Sequence, residues 1–252
     1  MIHLSFIYYC LLFFTAICAG LVDSISGGGG LVSLPVLLGI GLPPATALGT
    51  NRLQGGIGEL VATLHYLKSG ELALRPLFLP IFFVVIGSSV GTILIQKIPA
   101  DTLRQWLPVL LLCVLVYLSF SGKLFRVVDK RRMHPSWFAV LFGLSIGFYN
   151  GFFGPGTGSF WVVVFILFMG MTARIATMAA KPINFCGNMA SLFWFWQQLH
   201  VDWVAGAVMA VGQFIGASIG SRLVIHRGDK IVRPIFLLVV ALMCVELLYK
   251  YI

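Results

Sequence analysis

GLPPATALGTNRLQGGIGEL begins at Gly41, and GMTARIATMAAKPINFCGNM begins at Gly170. Laid over one another at a constant shift of 129 residues, they put Arg52 on Lys181, Gly58 on Gly187 and Glu59 on Asn188. The same shift puts Gly87 on Gly216, Gly91 on Gly220 and Arg104 on Arg233. Upstream, with a two-residue gap, Gly20-Leu-Val-Asp23 lies on Gly147-Phe-Tyr-Asn150, and the loop Gly27–Gly30 lies on Gly154-Pro-Gly-Thr157. The chain reads as one unit written twice, an organisation common among transporters.

Each unit carries five apolar stretches. They run over 4–22, 31–42, 53–67, 72–95 and 106–120, then over 136–152, 158–171, 183–199, 203–225 and 231–249. A full helical span needs about 20 residues, so the short second stretch of each unit predicts a half-helix or a re-entrant segment. Of the 252 residues, 59% are hydrophobic and 10% are charged, where ordinary soluble domains carry about 25% charge. The mean hydropathy is +0.99. So little polar surface cannot cover a soluble core, which excludes a disordered chain, a disulfide scaffold and a cytosolic enzyme. The apolar runs are long and do not alternate. The expected fold is therefore an all-α polytopic membrane protein with two homologous halves and 8–10 membrane segments.

Residues 1–120 form the first repeat, 121–135 a basic linker and 136–252 the second repeat. The net charge of +9 comes from 17 Lys and Arg against 8 Asp and Glu. The basic residues cluster between apolar runs rather than on a face with interleaved aromatics, so no nucleic-acid partner is expected. Loops rich in Lys and Arg face the cytoplasm. Placing the linker there, with Lys123, Arg126, Lys130, Arg131 and Arg132, tests the relative orientation of the halves. In inverted halves Lys68, Arg75, Arg222, Arg227, Lys230 and Arg233 join it, against Lys97, Arg104 and Lys250 outside. Parallel halves split the charges almost evenly. The expectation is an inverted-topology repeat with both termini outside.

The stretch Met1–Cys18 lacks the basic start of a signal peptide, and 4–22 has a counterpart in the second half, so it reads as a retained helix. Cys10, Cys18, Cys113, Cys186 and Cys244 are scattered without metal-binding or redox spacing, and read as small apolar residues. No metal or other cofactor is expected. GxxxG pairs at Gly87–Gly91, Gly212–Gly216 and Gly216–Gly220 predict close helix packing. Trp137, Trp194, Trp196 and Trp203 near run ends read as interfacial anchors.

The chemistry concentrates at two glycine-rich breaks, GLVDSISGGGGLVSLP at 20–35 and GFYNGFFGPGTGSFW at 147–161. Glycine lets a chain turn sharply and approach a solute closely, and the freed amides that open the next helix favour an anion. Gly27, Gly28, Gly29 and Gly30 line one break in this reading. Gly154, Gly156, Thr157 and Gly158 line the other. Arg52 and Lys181, at matching points of the repeat, are the expected counter-charges, because a cation inside a membrane needs a partner or a wet cavity. Asn51, Gln54, Asn184 and Asn188 add neutral hydrogen-bonding groups. Asp23 and Glu59 are carboxyls where the second half has Asn150 and Asn188, and are the candidates for proton coupling. His65 reads as structural. No G-x-x-x-x-G-K-[ST] is present, so energy comes from an ion gradient or the solute's own gradient.

These segments, with KPINF and VDWVAGAVMAVGQFIGASIGSRL at 201–223, make the chain resemble the sulfite exporter TauE/SafE family. The resemblance spans 20–120 and 139–245. The glycine run Gly27–Gly30, Pro35 and the element Ala47–Asn51 follow the family pattern. Pro155, Thr157 and Met178-Ala179-Ala180 depart from it, which leaves the solute open. The resemblance implies a bacterial cytoplasmic membrane and transport of a small anion, chiefly sulfite or an organic sulfonate. The resulting expectation is a secondary transporter working by alternating access in the lipid bilayer, with a homo-oligomer left open. The rival readings are a passive anion channel, an intramembrane hydrolase using Ser159 with His200, and a scaffold subunit.

Overall fold

The computed structural model describes residues 5–121 and 131–228. The stretch 231–249, Cys244 and the charges Lys123, Arg126, Lys130, Lys230, Arg233 and Lys250 lie outside the described residues.

The described chain is all-helical. Its elements are α1 (Phe6–Ser26), α2 (Gly29–Gly39), α3 (Pro44–Lys68), α4 (Phe78–Ile95), α5 (Ala100–Ser121), α6 (Pro135–Phe152), α7 (Thr157–Met169), α8 (Ala173–Gln197) and α9 (Trp203–Arg227). A single 3-10 turn, Arg75–Leu77, leads into α4. The spans Phe6–Ser26, Arg75–Ile95 and Trp203–Arg227 are long and apolar enough to cross a membrane. The short helices α2 and α7 have 11 and 13 residues and follow the two glycine-rich breaks.

The distribution of polarity is that of a chain dissolved in lipid. Phe6, Phe14, Phe78, Phe82, Trp137 and Phe214 lie exposed on the outside, while Arg52, Lys181, Glu59, Gln54 and Asn184 are buried. Lipid tails give such helices no hydrophobic reason to associate, so close packing of small residues does the work. Gly212 and Gly216 of α9 sit against the α1 backbone at Phe13 and Ile17. Gly87 and Gly91 of α4 sit against α6 at Leu144 and Phe148. Both contacts use the GxxxG pairs of the sequence, and both join a helix of one half to a helix of the other.

The registers of these contacts give the helix directions. Along α1 and α9, Phe13 lies near Gly212 and Ser24 near Gly220, so the two run parallel. Along α3 and α9, Thr50 accepts from the Asp202 amide at 2.9 Å, and His65 meets Ser221 at 2.7 Å, so α3 joins the same direction. Along α4 and α6, Val84 lies at Gly147 and Ser88 at Gly151, again parallel. Along α4 and α8, Ser88 lies at Gly187, and Thr92 donates to Ser191 at 2.9 Å. Between α3 and α8 the order reverses, with Gly49 near His200 and Gly56 near Met189. Helices α1, α3 and α9 therefore run one way, and α4, α6 and α8 the other. One end of the bundle gathers Lys68, Arg75, Arg131, Arg132, Arg174, Arg222 and Arg227; the other carries Lys97 and Arg104 among the described residues.

The helix bounds differ from the sequence reading at one instructive place. The third and eighth helices begin at Pro44 and Ala173, not at 53 and 183, and put Arg52 and Lys181 inside helices rather than between apolar runs. A periodicity reading stops at polar residues because it assumes they seek water. Here they bond to other helices, and the helix continues through them.

Candidate functional site: two broken helices and a polar cavity

Helix α1 ends at Gly27, whose φ of 79° only glycine adopts without strain, and whose amide closes on Asp23 O at 2.7 Å. Helix α6 ends at Phe152, and the chain turns through Gly154 (φ 96°) and Gly156 (φ 83°) before α7 begins. The two breaks meet. Gly27 lies against the backbone of Gly158 so closely that a Cβ on either would overlap the other, and Ser159 Oγ donates to Ser26 O at 2.7 Å. The first turns of α2 and α7 thus open at one place, bringing two positive helix ends together.

The cations answer the other ends. Arg52 Nη1 donates to Asn150 Oδ1 at 2.8 Å and to Asn188 Oδ1 at 2.9 Å. Its Nη2 donates to Phe153 O at 3.0 Å and to Asn150 O. These are carbonyls at the C-terminal end of α6, where the helix dipole is negative. Lys181 does the same in the other half: Nζ donates to Asp23 O at the end of α1, and lies 3.2 Å from Asp23 Oδ2. Each cation thus caps the first helix of the opposite half. Asp23 is held between Lys181 and the opening amide of α2, since Gly29 N reaches Oδ1 at 3.4 Å.

A polar cavity lies where the breaks meet. It is narrow, with about 30 Å³ open to the centre of a water molecule. Of the sequence-derived residues, Gly27, Gly30, Asn51, Arg52, Gln54, Gly154, Gly156, Thr157, Gly158, Asn184 and Asn188 line it, with Asp23 and Glu59. Gly28, Gly29 and Lys181 do not. Gly29 packs on Asp23 and Ala19 of α1, Gly28 has loose surroundings, and Lys181 lies behind Asp23. Thr157 Oγ1 donates to Asn150 Oδ1 at 3.3 Å and to Gly154 O.

Residues outside the sequence-derived set also line the cavity: Gly55, Asn150 and Gln213. Gln213 was legible as one amide inside an otherwise apolar GxxxG run. Asn150 was legible only as the repeat partner of Asp23.

Asn51, Gln54 and Ser33 form a closed set. Ser33 Oγ donates to Asn51 Oδ1 at 2.6 Å, and Gln54 Nε2 donates to the same oxygen at 2.8 Å. Asn188 joins the two sides of the cavity, because its Nδ2 donates to Glu59 Oε2 at 2.7 Å while its Oδ1 accepts from Arg52. Four buried polar atoms of lining residues have no protein partner: Arg52 Nε, Gln54 Oε1, Asn184 Oδ1 and Gln213 Oε1. Buried polar groups are ordinarily satisfied, so these four are fitted to water or a polar solute. Ser159 and His200 do not form a dyad. The Ser159 hydroxyl is spent on Ser26 O, and His200 lies in the loop after α8.

A profile of the family described as sulfite exporter TauE/SafE matches residues 12–247. The chain is 42% identical over 238 residues to the "Probable membrane transporter protein YfcA" of Escherichia coli K12, covering 94% of this chain and 88% of that protein. It is 37% identical over 239 residues to a "Probable membrane transporter protein" from Haemophilus influenzae, covering 95% and 94%. To "Probable membrane transporter protein ORF9" of a Sinorhizobium species it is 36% identical over 245 residues, covering 97% and 94%. No solved structure matches it. Broken helices around a buried polar cavity, an apolar exterior and a match over nearly the whole chain agree, and the chain belongs to the sulfite exporter TauE/SafE family of multi-pass transporters of the bacterial cytoplasmic membrane.

Proposed function

We propose that the protein is a secondary transporter of a small anion, sulfite or an organic sulfonate, working by alternating access. The observation that carries this reading is the meeting of the α2 and α7 N-termini at a cavity holding the Arg52 guanidinium. Amides and guanidinium are donors, and a sulfonate or sulfite offers a ring of oxygen acceptors. Such an anion enters only by shedding water and by displacing the groups that narrow the cavity, which suits a carrier that closes around its solute.

The two halves are read as inverted repeats, 1–120 and 136–252, joined by a cytoplasmic linker. The opposed directions of α1 and α6, α3 and α8, and α4 and α9 support this, as does the gathering of basic side chains at one end. Because α1 packs with α9 and α4 with α6, the moving bodies are the spatial groups α1–α2–α3–α9 and α4–α6–α7–α8, sliding along the α3–α8 contact. Each group contains one broken helix, so their displacement opens the cavity first to one side and then to the other.

The test is flux in liposomes of purified protein with sulfite, sulfate, thiosulfate and organic sulfonates. A carrier saturates and shows counterflow with trapped solute. Linear, non-saturating flux assigns a channel instead, and absence of flux for every anion rejects the reading.

A further inference from the structure

The buried charges around the cavity are not distributed evenly. Lys181 and Asp23 are a closed pair, 1% and 9% exposed, fixed to one another and to the ends of α1 and α2. Arg52 and Glu59 are the remaining cation and carboxylate, and no salt bridge joins them. Asn188 stands between them and bonds to both. In the first half the repeat has kept a carboxylate, and in the second an amide, at the point where the halves touch.

We propose, resting on the anion-carrier reading above, that Glu59 takes up one proton for each monovalent anion bound, so that anion and proton travel together. With Glu59 ionised, its charge balances that of Arg52, and an entering anion would leave one negative charge uncompensated inside the membrane. With Glu59 protonated, the cavity carries one positive charge, and a monovalent anion neutralises it. The proton comes from water on the loading side, forms an O–H bond on Glu59 Oε1, and returns to water on the releasing side. Oε2 keeps its bond from Asn188. Asn188 transmits the change, because a neutral Glu59 draws less strongly on its amide and leaves Arg52 freer to turn Nε and Nη1 to the anion.

The other titratable and charged groups around Glu59 are differently engaged. Asp23 of α1 and Lys181 of α8 hold each other. Tyr149 of α6 donates to Pro155 O at 2.6 Å. Cys186 of α8 is half-buried and already neutral as a thiol. Helix α9 contributes Gln213, and α4 contributes Ser88 and Thr92, none of which titrates in the working range. The same count selects for charge: a dianion such as sulfate would leave one negative charge unbalanced even with Glu59 neutral.

Methanesulfonate is the decisive probe, because it is a monoanion at every working pH and brings no proton of its own. Titrated calorimetrically in sodium-free detergent buffers of different ionisation enthalpy, the full-length protein is expected to take up about one proton per methanesulfonate bound. Its Kd should rise about tenfold per pH unit where Glu59 is ionised. In E59Q the proton uptake should vanish and Kd should become independent of pH; E59D should retain the uptake. Binding and flux missing for methanesulfonate and for every anion of the panel reject the carrier reading itself. Wild-type binding without proton uptake, binding that requires sodium, unchanged uptake in E59Q, or a folded E59Q that no longer binds overturns this inference and leaves the carrier reading standing.

Discussion

Glu59 and Asn188 occupy equivalent places in the two halves, 129 residues apart, and hydrogen-bond to each other at 2.7 Å. The bond joins α3 to α8, and Asn188 also accepts from Arg52 at 2.9 Å. The cation contacts are matched between the halves: Arg52 caps α6 at Asn150, and Lys181 caps α1 at Asp23. The two matched positions differ in chemistry, a carboxylate facing an amide.

Arg52 holds the end of α6 as well as lining the cavity, so its removal should cost both function and fold. Arg52→Ala strips donors from Asn150 O and Phe153 O and leaves Glu59 without a balancing charge. We expect loss of anion flux and about 2–5 kcal/mol of destabilisation, read as a drop in thermal unfolding temperature in detergent. Arg52→Lys keeps the charge but not the fork geometry, and should recover part of the stability without the flux. A variant that melts like wild type would remove Arg52 from its capping role.

Lys181 and Asp23 should behave as a coupled pair. Each single change, Lys181→Met or Asp23→Asn, leaves a buried charge alone, at a cost of about 3–5 kcal/mol. The double variant should regain much of that, with a coupling of about 1–3 kcal/mol in a double-mutant cycle. Additive single effects would show that the 3.2 Å contact carries no energy.

Adjacent glycines in the first break should differ sharply. Gly27 has a positive φ and lies on Gly158, so Gly27→Ala forces the two breaks apart. Flux should fall at least about tenfold, matching a loss of about 1.4 kcal/mol or more. Gly28 has φ −104°, and an added Cβ there would find its nearest neighbour, Val22 Cγ1, at 3.7 Å. Gly28→Ala should transport within about twofold of wild type. Equal effects at the two positions would reject the contact between the breaks.

The orientation can be read from single cysteines placed at Ala73 and Ala100 after replacement of the five native ones. Both positions are exposed and lie at opposite ends of the bundle. A membrane-impermeant thiol reagent added to intact cells should label Ala100→Cys. Ala73→Cys should label only after permeabilisation. The reverse pattern would invert the assignment of the basic end to the cytoplasm.

The repeat, the all-helical membrane class, the two glycine breaks and most residues lining the cavity were determined by the sequence, because each leaves a local mark: a constant shift, an apolar length, a residue that permits φ > 0. Which polar groups face one another was decided only in three dimensions. Arg52 and Lys181 look identical in role along the chain, yet one lines the cavity and the other is locked behind Asp23. Gln213 enters the site from a helix read as packing alone, and Gly29 falls away from it because it packs on Asp23 and Ala19 of α1. A one-dimensional pattern records what each residue can tolerate. In a medium with almost no water, the partner that satisfies a buried charge comes from another helix far along the chain, 98 residues from Arg52 to Asn150 and 158 from Lys181 to Asp23, and only the packing of the helices selects it.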